Sequence, residues 1–484
     1  MRDLTDRALD AASAAGATYA DIRIEHLQRQ VVSVKNGRPD GLLEDESQGF
    51  GVRVVVASPD VRGGAWGFAS SSRLEPREIE RVARRAVEIA RASALVLAEP
   101  VDLGEPIRTV ASYATPVQVD PFSVAVDEKV LALLEADAAM RAVRGIAVSE
   151  GSFECQRVRK TLASTEGSYV EQTLVETGAG IEALAVGEDD AQRRSFPNSF
   201  GRQHSTAGYE YFKSLDLTAN ASRTAEEAVK LLTAKPCPDD VTTVILDSSQ
   251  TALQVHESCG HPIELDRVFG TEASYAGTSF LTLDKRGTYR YGSEHVTIAA
   301  DATVPGALGT FGFDDEGVPA QRTIVVDRGI FKNYLTSRET AAKLGESSNG
   351  TMRADGWNRI PLIRMTNINL EPGPWSLDDL IADTDRGVFL QTNRSWSIDD
   401  VRLNFQFGTE IGWEIRNGKL GAMLKNATYT GITPRFWGAC DAVCRDWTVW
   451  GTPNCGKGQP SQAMHVGHGA SAIRVRGVQI GVMR

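Results

Sequence analysis

The sequence predicts an α+β protein: an N-terminal α+β region of two loosely repeated helix/antiparallel-strand blocks, then a β-rich C-terminal catalytic domain of sandwich or barrel type. Three observations carry this. A helix, a set of alternating strands and a second helix occur in that order twice in the first half. A segment with two prolines in three residues follows. After it, short β-branched strands and glycine-containing turns replace the helical patterns.

In chain order, residues 3–14 read as a helix. Strands are expected at 21–26, 30–34, 48–56 and 64–70, where apolar and polar residues alternate between turn signals such as Asn36-Gly37 and Gly63-Gly64. Residues 73–91 read as a helix with Ile79, Val82, Ala86, Val87 and Ile89 on its apolar side. The order then recurs: a helix at 124–140, strands at 143–153, 158–164, 168–177 and 180–186, and a helix at 222–232. Pro236 and Pro238 stop that helix and favour an extended linker over 232–238. A chain of 484 residues exceeds one ordinary core, so the expected division is 1–235, with sub-blocks 1–115 and 116–235, and 239–484. Beyond the linker come a strand at 242–246, a helix at 248–258, and short strands with turns such as Asp327-Arg328-Gly329 and Arg416-Asn417-Gly418.

Composition narrows the function. Hydrophobic residues at 42% and charged residues at 24% are those of a folded globular chain, which excludes disorder as the default. The net charge of -11, without a Lys/Arg cluster, argues against a nucleic-acid partner. No apolar run of about 18 residues exists, so no membrane partner is expected. The first residues look like an amphipathic helix rather than a secretory signal. Six cysteines are sparse, which fits a reducing compartment; a cytoplasmic location is expected.

The chemistry concentrates in His256-Glu257-Ser258-Cys259-Gly260-His261. Two histidines five apart project about 140° from each other on an ideal helix, too far to share one ion. Gly260 can take the left-handed conformation that ends a helix, and Pro262 cannot continue one. The expectation is that the helix ends between the histidines and folds His261 back toward the ion. By itself the pattern fits equally a pair of hydrogen-bonded side chains near a helix end. A catalytic zinc needs a third protein ligand and an open position. Cys259, Cys440, Cys444, Cys455, His465 and His468 are available. Cys455 lies in a glycine-rich loop where the nearby Lys457 would favour the thiolate. Cys440 and Cys444 could form a separate structural site, although two buried small residues is the better reading.

The stretch from His256 through His261, Pro262 and Glu264, the loop Cys455-Gly456-Lys457-Gly458-Gln459, and the closing segment from His468 to Gly477 together resemble the TldD/PmbA metallopeptidases, and the TldD-like catalytic member in particular. The resemblance covers nearly the whole chain. It implies one Zn2+ per chain held by His256, His261 and Cys455, with Glu257 as the acid–base residue. It implies hydrolysis of flexible or unfolded peptides with loose sequence preference, and a PmbA/TldE-like partner chain or a homodimer around an enclosed chamber. His465, His468 and Tyr429 are candidates for a second donor to the oxyanion. The competing readings are a binding or assembly protein that zinc merely stabilises, and a metal-dependent amidohydrolase acting on small molecules.

Overall fold

Helix α1 (Arg2–Ala14) leads into β1 (Tyr19–Lys35), β2 (Arg38–Ala57) and β3 (Gly64–Ser71), and α2 (Pro76–Ala94) closes the first block. The structure, a computed structural model, describes residues 1–57, 63–97 and 99–483. The second block comprises β4 (Val110–Ala114), α3 (Val126–Arg141), β5 (Ile146–Ser164), β6 (Tyr169–Val186), β7 (Ala191–Phe196), β8 (Gln203–Ser205), α4 (Tyr209–Ser214) and α5 (Leu217–Thr233). Asp216 accepts from the Ala219 amide and starts α5 at Leu217, before the expected start at 222, with Leu217 and Ala221 already in the core.

The two blocks share one sheet, in the order β3-β2-β1-β5-β6-β4, with β7 and β8 on the remainder of β6. The joint is the antiparallel pair β1–β5, running from Asp21↔Ser164 to Lys35↔Glu150. The sequence reading cut β1, β5 and β6 each into two strands, but each is continuous. The cause lies in packing. One half of β1 puts Ile22 and Ile24 under α1 and α2, and the other puts Val32 and Val34 under α3 and α5. The polar residues between fall in the gap between helix pairs. They interrupt the apolar alternation but contain no turn residue that would break the backbone.

The other face of the sheet is charged and meets the C-terminal half. Arg53 pairs with Asp21 at 2.8 Å and Glu316 at 3.3 Å, and Lys160 with Asp315 at 2.7 Å. Such buried pairs add little net stability but fix the register of the two halves, because a displaced partner leaves a buried charge uncompensated.

The expected linker is docked. Lys235–Pro236 forms a short parallel pair (β9) beside Leu424 and Lys425, and the Cys237 amide donates to Lys425. Next, β10 (Asp240–Leu246) enters a closed barrel whose other strands are Arg386–Ile398, Asn404–Arg416, Ala427–Ile432 and Ile473–Val482. Pairing of 386–398 with both β10 and 404–416 closes the ring. Of the sandwich and barrel expected, the barrel forms. Asp247 caps α6 (Ser248–Val255) at the end of β10, accepting from the Gln250 amide at 2.9 Å. A separate hairpin, Thr448–Lys457 with Gln462–Ala470, reaches back toward α6 and carries Cys455. No helix among the described residues is long and apolar enough to cross a membrane.

Candidate metal centre

The helix does not end between the histidines. After Val255 the chain makes a π-helical turn, His256–Gly260, in which the His261 amide donates to the His256 carbonyl at 3.3 Å. An i→i+5 turn takes one more residue per turn than an α-helix, so side chains five apart reach nearly the same side. Gly260 has no positive φ. It is required by contact: a Cβ would stand 2.3 Å from Sδ of the buried Met365. Pro262 brings no amide hydrogen, which frees the Ser258 carbonyl. The buried Tyr291 hydroxyl donates to that carbonyl at 2.9 Å.

The turn brings the rings of His256 and His261 to 5.0 Å between centroids. Cys455 arrives from the hairpin, its Sγ 3.8 Å from His261 Nε2. One donor atom each from His256, His261 and Cys455 lies within 4.8 Å of the others, and all three residues are buried. His261 Nδ1 faces the buried Glu264 carboxylate at 3.0 Å, which leaves Nε2 for an ion. His256 Nδ1 stands 2.7 Å from His468 Nε2. Burial and the adjacent His256 hold His468 well below the ordinary imidazole range. The contact engages the nitrogen of His256 that faces away from Glu257.

Burial pushes the Cys455 thiol up, but His256, His261 and Arg364 outweigh it and hold the thiol well below its ordinary range. Burial, with Arg402 and His256 adding to it, overcomes the pull of Cys455 and keeps His261 well below its ordinary range. A thiolate and imidazoles with their outer nitrogens already engaged form a donor set that suits a transition metal, zinc included.

Lys457 does not serve the thiolate as the sequence reading supposed. Its ammonium is buried against Asp266 at 2.7 Å and the Ile363 carbonyl at 2.6 Å, with Glu264 at 3.5 Å. It thereby ties the cysteine loop to the carboxylate that orients His261. Lys457→Met should cost about 3 kcal/mol of stability in urea denaturation, because buried carboxylates lose their cation. Metal affinity should fall roughly 10–100-fold in a titration. Unchanged affinity would reduce Lys457 to a packing role.

The remaining candidates lie elsewhere. Cys259 packs in the barrel core, where burial pushes its thiol up to about 12. Cys440 shares that core, whereas Cys444 belongs to a separate cluster with Ile245 and Leu380, so no common site joins them. Tyr429 is buried between Gln250 and Gln254, bracing α6 from the barrel at 2.9 and 3.0 Å. His465 pairs with Glu176 at 2.5 Å on the N-terminal sheet. None of His465, His468 and Tyr429 lines the cavity at the site.

That cavity, of about 470 Å³, is bounded by His256, Glu257, His261, Cys455, Trp450 and Arg402, among others. Glu257 Oε2 accepts from Arg402 Nη1 at 2.7 Å, and its Oε1 lies 4.0 Å from His256 Nε2. The sequence reading missed Arg402. It sits in the hairpin turn after residue 398, with no motif around it.

Comparison with known proteins gives three domain matches in chain order. Residues 20–90 match domain 1 of the PmbA/TldA metallopeptidases, 119–235 their central domain, and 239–482 their C-terminal domain. A metalloprotease of Methanocaldococcus jannaschii is 32% identical over 459 residues, 94% of this chain and 95% of that one. A TldD homologue of Buchnera aphidicola is 28% identical over 90% of this chain and 86% of its own. TldE from Thermococcus kodakarensis shares the fold, with a TM-score of 0.72 at 16% identity over 98% of this chain and 99% of that one.

Proposed function

The chain belongs to the PmbA/TldA metallopeptidase family, and from that premise we propose that it is a zinc-dependent peptidase that hydrolyses flexible or unfolded peptides with loose sequence preference. The observation that supports this most is a buried pair of imidazoles and a thiolate at the wall of a cavity, with a carboxylate beside them.

One Zn2+ per chain would be held by His256, His261 and Cys455, and when bound it would acidify water and polarise the scissile carbonyl. Glu257 takes one proton from the attacking water at Oε1 while Oε2 stays with Arg402. The water oxygen bonds to the carbonyl carbon. As the C–N bond breaks, Glu257 passes its proton to the amine nitrogen. The second water proton follows, which leaves a carboxylate and an ammonium.

A cavity of about 470 Å³ holds a few residues of extended chain and no folded domain. Backbone pairing with a strand edge would bind such a chain with little side-chain preference. We further infer a division into domains 1–235 and 239–484, whose last residue lies outside the described residues, and a cytoplasmic location. The assembly inferred is with a PmbA/TldE-like chain or a second copy, and the shared fold with TldE supports it.

The test is cleavage, abolished by a chelator, of an unstructured peptide and of one small protein in folded and denatured forms. The peptide and the denatured form should be cut and the folded form spared. Equal rates on the two forms, or cleavage of small amides alone, would contradict the reading.

A further inference from the structure

Arg402 is the one arginine or lysine paired with Glu257 among the described residues, and its setting is unusual. Its φ is +64°, a left-handed backbone that costs a non-glycine residue on the order of 1 kcal/mol or more. The surroundings over-determine that conformation. The Arg402 amide donates to the Asp399 carbonyl at 2.9 Å, and the Asp399 carboxylate accepts from the Leu403 amide at 2.7 Å. Thr433 Oγ1 donates to the Arg402 carbonyl at 3.1 Å. Asp400 and Val401 are held by the amides of Thr278 and Phe280, each at 2.9 Å. The backbone is thus fixed where the side chain lines the cavity.

A guanidinium offers five N–H donors in a rigid fork. Nη1 meets Glu257, whereas the buried Nε has no partner among the described residues. A fixed cation lining the cavity, beside the group that moves the proton, matches what a developing oxyanion needs: charge that need not reorganise as the oxyanion appears.

Resting on the peptidase reading, we propose that Arg402 is a catalytic residue, the second electrophile that binds the carbonyl oxygen of the substrate as it becomes an oxyanion. Arg402 fills the role for which His465, His468 and Tyr429 were candidates. Its tie to Glu257 gives base and oxyanion donor a fixed separation. In the reaction the guanidinium keeps all its protons. It accepts the oxygen's charge as the water adds and releases it as the carbonyl re-forms with loss of the amine.

The test uses the full, metal-loaded protein. Arg402→Ala should lower kcat on an unstructured peptide by on the order of 10²–10³-fold, with KM and bound metal little changed. Millimolar guanidinium should restore part of that loss while leaving wild type unaffected. Arg402→Lys, which keeps the charge but not the fork, should fall between. A second readout needs no turnover. A phosphinic peptide, tetrahedral at the position of the scissile carbonyl, should bind Arg402→Ala on the order of 10²-fold more weakly than wild type. The equivalent amide should bind Glu257→Gln equally well with and without the Arg402 change. Wild-type kcat in Arg402→Ala, equal phosphinic binding, or activity lost together with metal and not rescued by guanidinium would each overturn the assignment. A wild-type protein that cuts no peptide would instead sink the peptidase reading, and phosphinic binding would still judge Arg402.

Discussion

Glu257→Gln should lower peptide turnover by on the order of 10²–10⁴-fold while bound metal stays at its wild-type value. The amide keeps the size of the carboxylate, and its oxygen still accepts from Arg402, so the ion-facing side of the cavity retains its shape. What the variant loses is a group that can take a proton from water and return it to an amine. The check is a paired measurement of kcat and metal content on the same sample. Full activity in the variant would remove Glu257 from the acid–base role. Lost activity with lost metal would make it a structural support of the ligands.

Cys455→Ala should release most of the bound metal, and activity should fall with it. A lost ligand costs more than the roughly 10–100-fold in affinity typical of a lost supporting contact. The loss should not come from unfolding, because Cys455 sits in a hairpin whose backbone pairing with 462–470 does not involve the thiol. Cys259→Ala is the control. Cys259 lies between His256 and His261 in sequence yet faces the barrel core, and its replacement should leave metal stoichiometry untouched. Metal analysis after dialysis against a weak chelator reads both. Retained metal in Cys455→Ala would move the third ligand elsewhere.

The fold class was legible because it rests on periodicity. Strand and helix patterns depend on which face is apolar, and both N-terminal blocks pack one apolar face under helices. Strand continuity was not legible. Whether the polar middle of β1 is a turn or a strand depends on helices that pack more than a hundred residues away. The site was legible in its residue types and less so in its geometry. The five-residue spacing demanded a departure from an α-helix, and Gly260 with Pro262 pointed to a helix end. The chain uses a π-turn instead, because Met365 occupies the space behind Gly260 and Tyr291 satisfies the carbonyl that Pro262 frees. Lys457 stood close to Cys455 in sequence and was assigned to it. In three dimensions its charge goes to Glu264 and Asp266. Arg402 carried no signal, since an arginine in a hairpin turn is ordinarily a solvated one.

The most direct test of a catalytic His–His–Cys centre is X-ray absorption at the zinc edge of the metal-loaded protein, with and without a bound phosphinic peptide. The expected spectrum has one sulfur at about 2.3 Å and nitrogen or oxygen neighbours at about 2.0–2.1 Å, two of them imidazole, with a light-atom ligand that the phosphinate displaces. A shell without sulfur would remove Cys455 from the site. Four protein ligands that the phosphinate leaves unchanged would mark a closed structural zinc and contradict the peptidase chemistry.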